Sequence, residues 1–246
     1  MIFWKAAAAA FSMFSIVRVP GGEWDEESMK YLLCAFPLVG ALIGALCWGF
    51  TALCSLSGQP PMIRGLGLCL IPPIITGGIH LDGLCDTWDA LASYGSVSKK
   101  KEILRDPHIG SFAVFKLTAL LLSQFVLWTA LKNYRPWPVL GSFVLSRSLS
   151  ALALVTFPVE PSSHLARTFS DGADQKRTRK VTIIIAVLAA ALMSVYGGGM
   201  MVLAALGVFA WYRYKILPSF GGLSGDLAGW FVQMAEMWML IALYVF

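Results

Sequence analysis

Residues 77–91 read GGIHLDGLCDTWDAL. One histidine and three aspartates close an apolar run that begins near residue 63. Taken as the end of that run continuing as helix, at about 100° per residue, Asp86 sits roughly 40° from Asp82 and Asp89 roughly 20° on the other side. All three carboxylates then share one face. A surface helix normally offsets like charges at this spacing with Lys or Arg, because unpaired repulsion is destabilising. No basic residue occurs between His80 and Leu91. The flanking Leu81, Leu84, Trp88 and Leu91 are too large and apolar for a simple solvated helix end. The spacing makes sense if a hard divalent cation, Mg²⁺ or alternatively Mn²⁺, neutralises the face. Gly83 removes bulk beside Asp82, which lets a phosphate or a neighbouring helix approach. His80 lies roughly 160° from Asp82 on a regular helix, so packing is expected of it before direct ligation.

The rest of the chain sets this stretch in a membrane. The 246 residues are 57% hydrophobic and 13% charged, with mean hydropathy +0.70. A soluble domain carries about a quarter charged residues. Seven apolar spans are expected, at 31–57, 63–81, 110–131, 137–157, 181–196, 199–217 and 227–246. The fold class is all-α: a polytopic membrane helix bundle in a single domain over 1–246. The alternation of a membrane β-barrel is absent. The first residues, MIFWKAAAAAFSMF, read as a retained interfacial helix within an N-terminal segment, 1–30. Cys34, Cys47, Cys54, Cys69 and Cys85 form no CxxC pair and read as apolar fillers.

Charge orients the bundle. Lys116 and Arg147 fall within spans, and Arg64, Lys132 and Arg135 fall on one side. The remaining fourteen of the 19 Lys and Arg fall on the other, with every loop acid. By the positive-inside rule that side, with the N-terminus, is cytoplasmic. The net charge of +5 then reflects topology and contact with anionic lipid. No basic face with aromatic platforms suggests nucleic acid.

Three further cytoplasmic segments carry candidate residues. KKKEILRDPHIGSFAVFK (99–116) turns at Pro107 and Gly110 into the third span. It brings Asp106 back to the membrane surface as a fourth metal-binding carboxylate beside Asp82, Asp86 and Asp89 in an acidic region, 82–109. Arg105, His108 and the N–H groups of Gly110 and Ser111 suit phosphate. LPSFGGLSGDLAG (217–229) has four glycines ahead of or within a helix start. Gly222, Gly225 and Asp226 are its candidates for substrate, and Asp226 is expected either to cap the helix or to bind substrate or metal. The loop 158–180 is expected to flap over the site, with His164 and Arg167 as weaker candidates. Within the membrane, Arg147 is expected either to hold a substrate phosphate or carboxylate or to pair with Glu236.

GGIHLDGLCDTWDAL, ILRDPHIGSFAV and GGLSGDLAG, in that order, with FSIVRVP and FPLVGALIGAL before them, resemble the cobalamin synthase (adenosylcobinamide-GDP ribazoletransferase) family over nearly the whole chain. Two positions depart from its pattern: Ala90 stands where Gly is frequent, and His108 where a basic residue usually precedes Ile-Gly. The resemblance implies a membrane transferase that joins adenosylcobinamide-GDP to α-ribazole, or its 5′-phosphate, with release of GMP. Asp82, Asp86 and Asp89 would be catalytic, with Asp89 a candidate base, at the cytoplasmic face of a prokaryotic inner membrane. Expected partners are those substrates, membrane lipid and other corrinoid enzymes, with a homo-oligomer left open. The rival readings are a CDP-alcohol phosphotransferase of lipid synthesis, whose helix-borne Asp and metal logic is similar, and a transporter using Lys116, Arg147 and Glu236 as a relay.

Overall fold

The structure, a computed structural model, describes residues 2–20 and 25–246. Part of the polar lead-in to the first long helix therefore lies outside the described residues. Eleven α-helices follow one another among them: α1 (Ile2–Phe14), α2 (Glu26–Leu56), α3 (Pro61–Ile75), α4 (Ile79–Ala92), α5 (Val97–Ile103), α6 (Ser111–Ala130), α7 (Pro136–Thr156), α8 (His164–Gly172), α9 (Gln175–Val195), α10 (Gly199–Trp211) and α11 (Gly225–Val245). The only β pairing among the described residues is an isolated parallel bridge, Val159 to Leu223.

Six helical stretches are long and apolar enough to cross a membrane: α2, α6, α7, α9, α11 and the run that α10 begins. The chain is a polytopic membrane helix bundle. The helix expected to continue unbroken from the second span into the carboxylates is corrected. Residues 63–89 do not form one helix: α3 and α4 meet at a 90° bend. Pro72 and Pro73 lie in the last turn of α3, and Gly77 and Gly78 follow with φ of 62° and 80°. Left-handed backbone is open to glycine at no steric cost and ends a helix. The carboxylate helix α4 is thus a separate element turned away from α3.

The remaining boundaries shift for local reasons. α9 starts at Gln175 because Asp174 caps it, accepting from the Arg177 amide at 3.0 Å. After α10 the chain loosens into a π-turn (Tyr212–Ile216) and a 3₁₀ turn (Leu217–Phe220). Two basic residues at helix starts are absorbed by backbone: Arg64 donates to Leu131 O at 2.5 Å and Arg135 to Gly197 O at 2.8 Å.

Close packing comes from small residues, as expected where lipid gives no hydrophobic drive between helices. Gly40 and Gly44 of α2 face α7. A Cβ on Gly44 would come 2.7 Å from the Leu140 Cα. The alanine run of α1, Ala6 to Ala10, is buried. Lys5 meets Asp25 and Glu27 at 3.2 Å, while Phe14 meets Phe36 with ring centroids 4.2 Å apart. α1 therefore runs alongside α2 in the same direction.

At the centre, Arg147 of α7 is fully buried and pairs with Glu236 of α11. Ser146 donates to the same carboxylate at 3.0 Å. Of the two roles expected for Arg147, the ion pair is the one its side chain fills. The transporter relay also loses its third member, because Lys116 sits over the Trp88 ring at 5.9 Å. Removing one partner of a buried pair leaves an uncompensated charge, whereas replacing both with apolar residues is often nearly neutral. Glu236→Leu should therefore lose about 3–5 kcal/mol of stability. Adding Arg147→Met should restore most of it, as read by thermal unfolding in detergent.

Candidate active site

The site grows from one helix crossing. α4 and α11 meet through a glycine on each. A Cβ on Gly83 would lie 2.7 Å from the backbone Cα and O of Asp226, and one on Gly229 would lie 3.2 Å from the His80 Cα. Two backbones this close bring the face of α4 that carries Asp82 and Asp86 against the first turn of α11. Gly83 was expected to admit a phosphate or a helix, and the helix is what it admits. Asp226 itself is spared from capping. Ser224 is the N-cap of α11 and accepts from the Leu227 amide at 3.3 Å.

The three carboxylates of α4 meet different surroundings. Asp82 is exposed and Asp86 half-buried. Asp89 turns under the start of α6, where its oxygens accept from the Gly110 amide at 2.5 Å and the Ala113 amide at 2.9 Å. The Gly110 N–H expected for phosphate is thus satisfied by Asp89, and any Cβ there would come within 2.7 Å of that carboxylate. A carboxylate at a helix N-terminus is stabilised by the free amides and the dipole. Asp89 ties α4 to α6.

Burial pushes the Asp86 carboxyl up to about 7, and the charges of Asp82, Asp226 and Asp89 push the same way. Among the described residues, none of these four acids forms an ion pair with Lys, Arg or His. Such a surplus of carboxylate oxygen suits a hard cation. No three His, Cys, Asp or Glu among the described residues converge as a closed protein cage would need. Magnesium seldom uses such a cage; it takes one or two carboxylates and fills its shell with water and substrate phosphate. The donor set fits on those terms.

Asp106, expected as the fourth ligand, belongs elsewhere. It stands in an exposed turn, where its Oδ1 accepts from the His108 amide at 3.0 Å and meets the His108 Nδ1 at 2.7 Å. Its place in the acid cluster is taken by Asp226. Ser111 is exposed at the start of α6. Arg147 lies inside the bundle, paired as above.

Asp226 stands between two cavities. One, of about 110 Å³, is lined by Lys101, Arg105, Glu160, Ser162 and Gly222. Its walls are tied across the chain. Glu160 accepts from Lys101 at 2.7 Å, Arg105 donates to Ser162, and the Glu160 amide donates to Leu223 O at 2.9 Å. Gly222, at φ 141°, lets this strand-like pairing close, since a Cβ would strike the Glu160 amide at 2.7 Å. The other cavity, of about 290 Å³, has Asp82, Asp226, Gly225, Ser150 and His80 at its polar positions and Phe14, Phe36, Leu165 and Phe169 among its apolar ones. The expected flap contributes here as α8. Ala166, Phe169 and Ser170 are buried, while His164 and Arg167 face outward.

Sequence reasoning therefore found Asp82, Asp86, Asp226, Arg105, Gly222 and Gly225 where they can act together. It missed Glu160, Ser162 and Ser150. Glu160 had one signal, being the only acid between Phe157 and Asp171.

Comparison with known proteins gives the family of the chain. The family model described as Cobalamin-5-phosphate synthase matches residues 6–244. An adenosylcobinamide-GDP ribazoletransferase of Lachnoclostridium phytofermentans is 38% identical over 96% of this chain and 92% of its own. Proteins of the same name from Pseudomonas syringae pv. syringae, at 33% over 92% and 93%, and from Clostridium perfringens, at 31% over 96% and 95%, are also similar. No solved structure matches. The chain belongs to the cobalamin-5-phosphate synthase family, the transferases of cobalamin biosynthesis.

Proposed function

We propose that this chain joins adenosylcobinamide-GDP to α-ribazole, or to its 5′-phosphate, and releases GMP. The observation that carries the reading is the position of Asp226. It stands with Asp82 and Asp86 where a basic polar cavity meets an apolar one. A transfer between a pyrophosphate and an apolar nucleoside needs both kinds of surface beside one group of carboxylates.

In the proposed step the ribose 3′-hydroxyl oxygen attacks the cobinamide-linked phosphorus. The bond from that phosphorus to the bridging oxygen breaks, and GMP leaves with its electron pair. The hydroxyl proton passes to a carboxylate within hydrogen-bond reach. Asp82 is the better candidate base than Asp89, because Asp89 already holds two backbone amides. Asp89 is instead a positioning residue for α6. Lys101 and Arg105 line the polar cavity and can take phosphate oxygens there, Arg105 by a bidentate contact once it leaves Ser162. Mg²⁺ or Mn²⁺, when bound by Asp82, Asp86 and Asp226 in pairs, supplies positive charge opposite the pyrophosphate and the departing GMP. Direct transfer needs no covalent enzyme intermediate. The basic residues flanking this end of the bundle support a cytoplasmic active site in a prokaryotic inner membrane.

Purified protein in liposomes, assayed for GMP release with Mg²⁺, tests the reading. Asp82→Asn and Asp86→Asn should each lower the rate by roughly a hundredfold or more. Near-normal GMP release in both would sink the carboxylate role, and no release from the unsubstituted chain would sink the reaction. The charge surplus gives a second test. The folded pKa of Asp86 is about 7, against 3.8 unfolded. Its protonated form therefore stabilises the fold at low pH, and that contribution is lost as pH rises from about 4 to about 7. In chelator, thermal stability in detergent should fall across that window. Asp86→Asn should flatten the fall, and added Mg²⁺ should reverse it at the upper end.

A further inference from the structure

We infer that the cavity of about 290 Å³ is the seat of the acceptor's heteroaromatic base, and that His80 and Leu165 decide which bases it admits. This rests on the proposed reaction, and it says which surface takes which substrate.

Size and chemistry give the assignment. Pockets for small ligands run upward from about 300 Å³, so this one, at about 290 Å³, suits a nucleoside and is far too small for a corrin ring. Its interior is aromatic. The Phe14 and Phe36 centroids are 4.2 Å apart, those of Phe14 and Phe169 are 5.7 Å apart, and the Phe36 ring lies 5.9 Å from the His80 ring. Flat apolar bases stack well in such a box. Asp82 and Asp226 also line it. From there a carboxylate can accept a hydrogen bond from a ribose hydroxyl, the role proposed above for Asp82. The diphosphate has a better home across Asp226, with Lys101 and Arg105.

His80 adds an independent observation. It lines this cavity, is only 5% exposed, and its Nδ1 has no hydrogen-bond partner. Buried polar nitrogens nearly always have one. Gly229 presses on the His80 backbone, so the imidazole is held at the cavity wall. An imidazole ring can hydrogen-bond the one base nitrogen that the glycosidic bond leaves free in a benzimidazole nucleoside. A purine base would bring further exocyclic polar groups among the phenylalanines, where they would go unpaired.

Leu165 reaches the cavity from α8 and is 43% exposed, so it accepts a larger side chain without disturbing the bundle. Leu165→Trp should raise KM for the benzimidazole nucleoside about tenfold and leave KM for the GDP-linked corrinoid within about twofold. His80→Phe should raise the KM of the same nucleoside about tenfold. It should leave unchanged the KM of a riboside whose phenolic base has no ring nitrogen. If both variants keep the nucleoside KM, or raise both substrates' KM together, the assignment is wrong. If the unsubstituted chain releases no GMP, the proposed reaction has failed instead. Equilibrium dialysis of the benzimidazole nucleoside against the purified protein then decides the cavity alone. Binding weakened about tenfold by Leu165→Trp supports it, and binding that is absent or unaffected overturns it.

Discussion

Two helices approach until their backbones touch, because each offers a glycine at the contact. Gly83 of α4 meets Asp226, and Gly229 of α11 meets His80. The proposed chemistry depends on that crossing. It gathers carboxylates from residues 82, 86 and 226, which are far apart in sequence. It also presses His80 into the wall of the apolar cavity. A side chain at Gly83 would separate the helices and open the acid cluster, whereas one at Gly229 would crowd the His80 backbone more mildly. In lipid, where apolar burial does not favour helix pairing, such close contact is a main source of specificity.

The crossing gathers like charges, and the fold does not neutralise them. Asp86 is pushed up to about 7 by burial and by its three neighbours. Cations are present nearby but committed: Lys101 to Glu160, Lys116 to the Trp88 ring, Arg147 to Glu236. Electrostatic strain of this sort at a site is what ligand binding relieves. The same economy appears in Asp89, which spends both oxygens on the amides of α6. That amide is thereby taken from phosphate, which the proposed reaction places on the Lys101 and Arg105 side of Asp226.

The second consequence is a division of surfaces. Loop 158–163, α5 and the turn before α11 form one polar unit, bound by the Glu160 contacts. α1, α2 and α8 form an apolar one around Phe14, Phe36 and Phe169. Asp226 lies on the boundary. A reaction joining a charged donor to an apolar acceptor would need that boundary, and the membrane bundle provides it by placing lipid-like side chains next to a basic rim.

Local chemistry determined much of this from the sequence alone. Apolar length set the class, basic residues set the orientation expected of the loops, and helical spacing put Asp82, Asp86 and Asp89 on one helix. Ordered motifs spanning most of the chain pointed to the family. The bend before α4 was also written locally, in Pro72, Pro73, Gly77 and Gly78, although the continuous apolar pattern hid it. What depended on contacts distant in sequence could be decided only by tertiary structure. Asp226, not Asp106, completes the cluster because Gly83 and Gly229 let α11 in. Asp89 binds α6 because the 93–109 connection returns that helix start beneath it. Arg147 closes on Glu236, and His80 faces an aromatic cavity, because α7, α2 and α11 converge there. A residue's type and spacing tell what it can bind, but which partner reaches it first is set by packing.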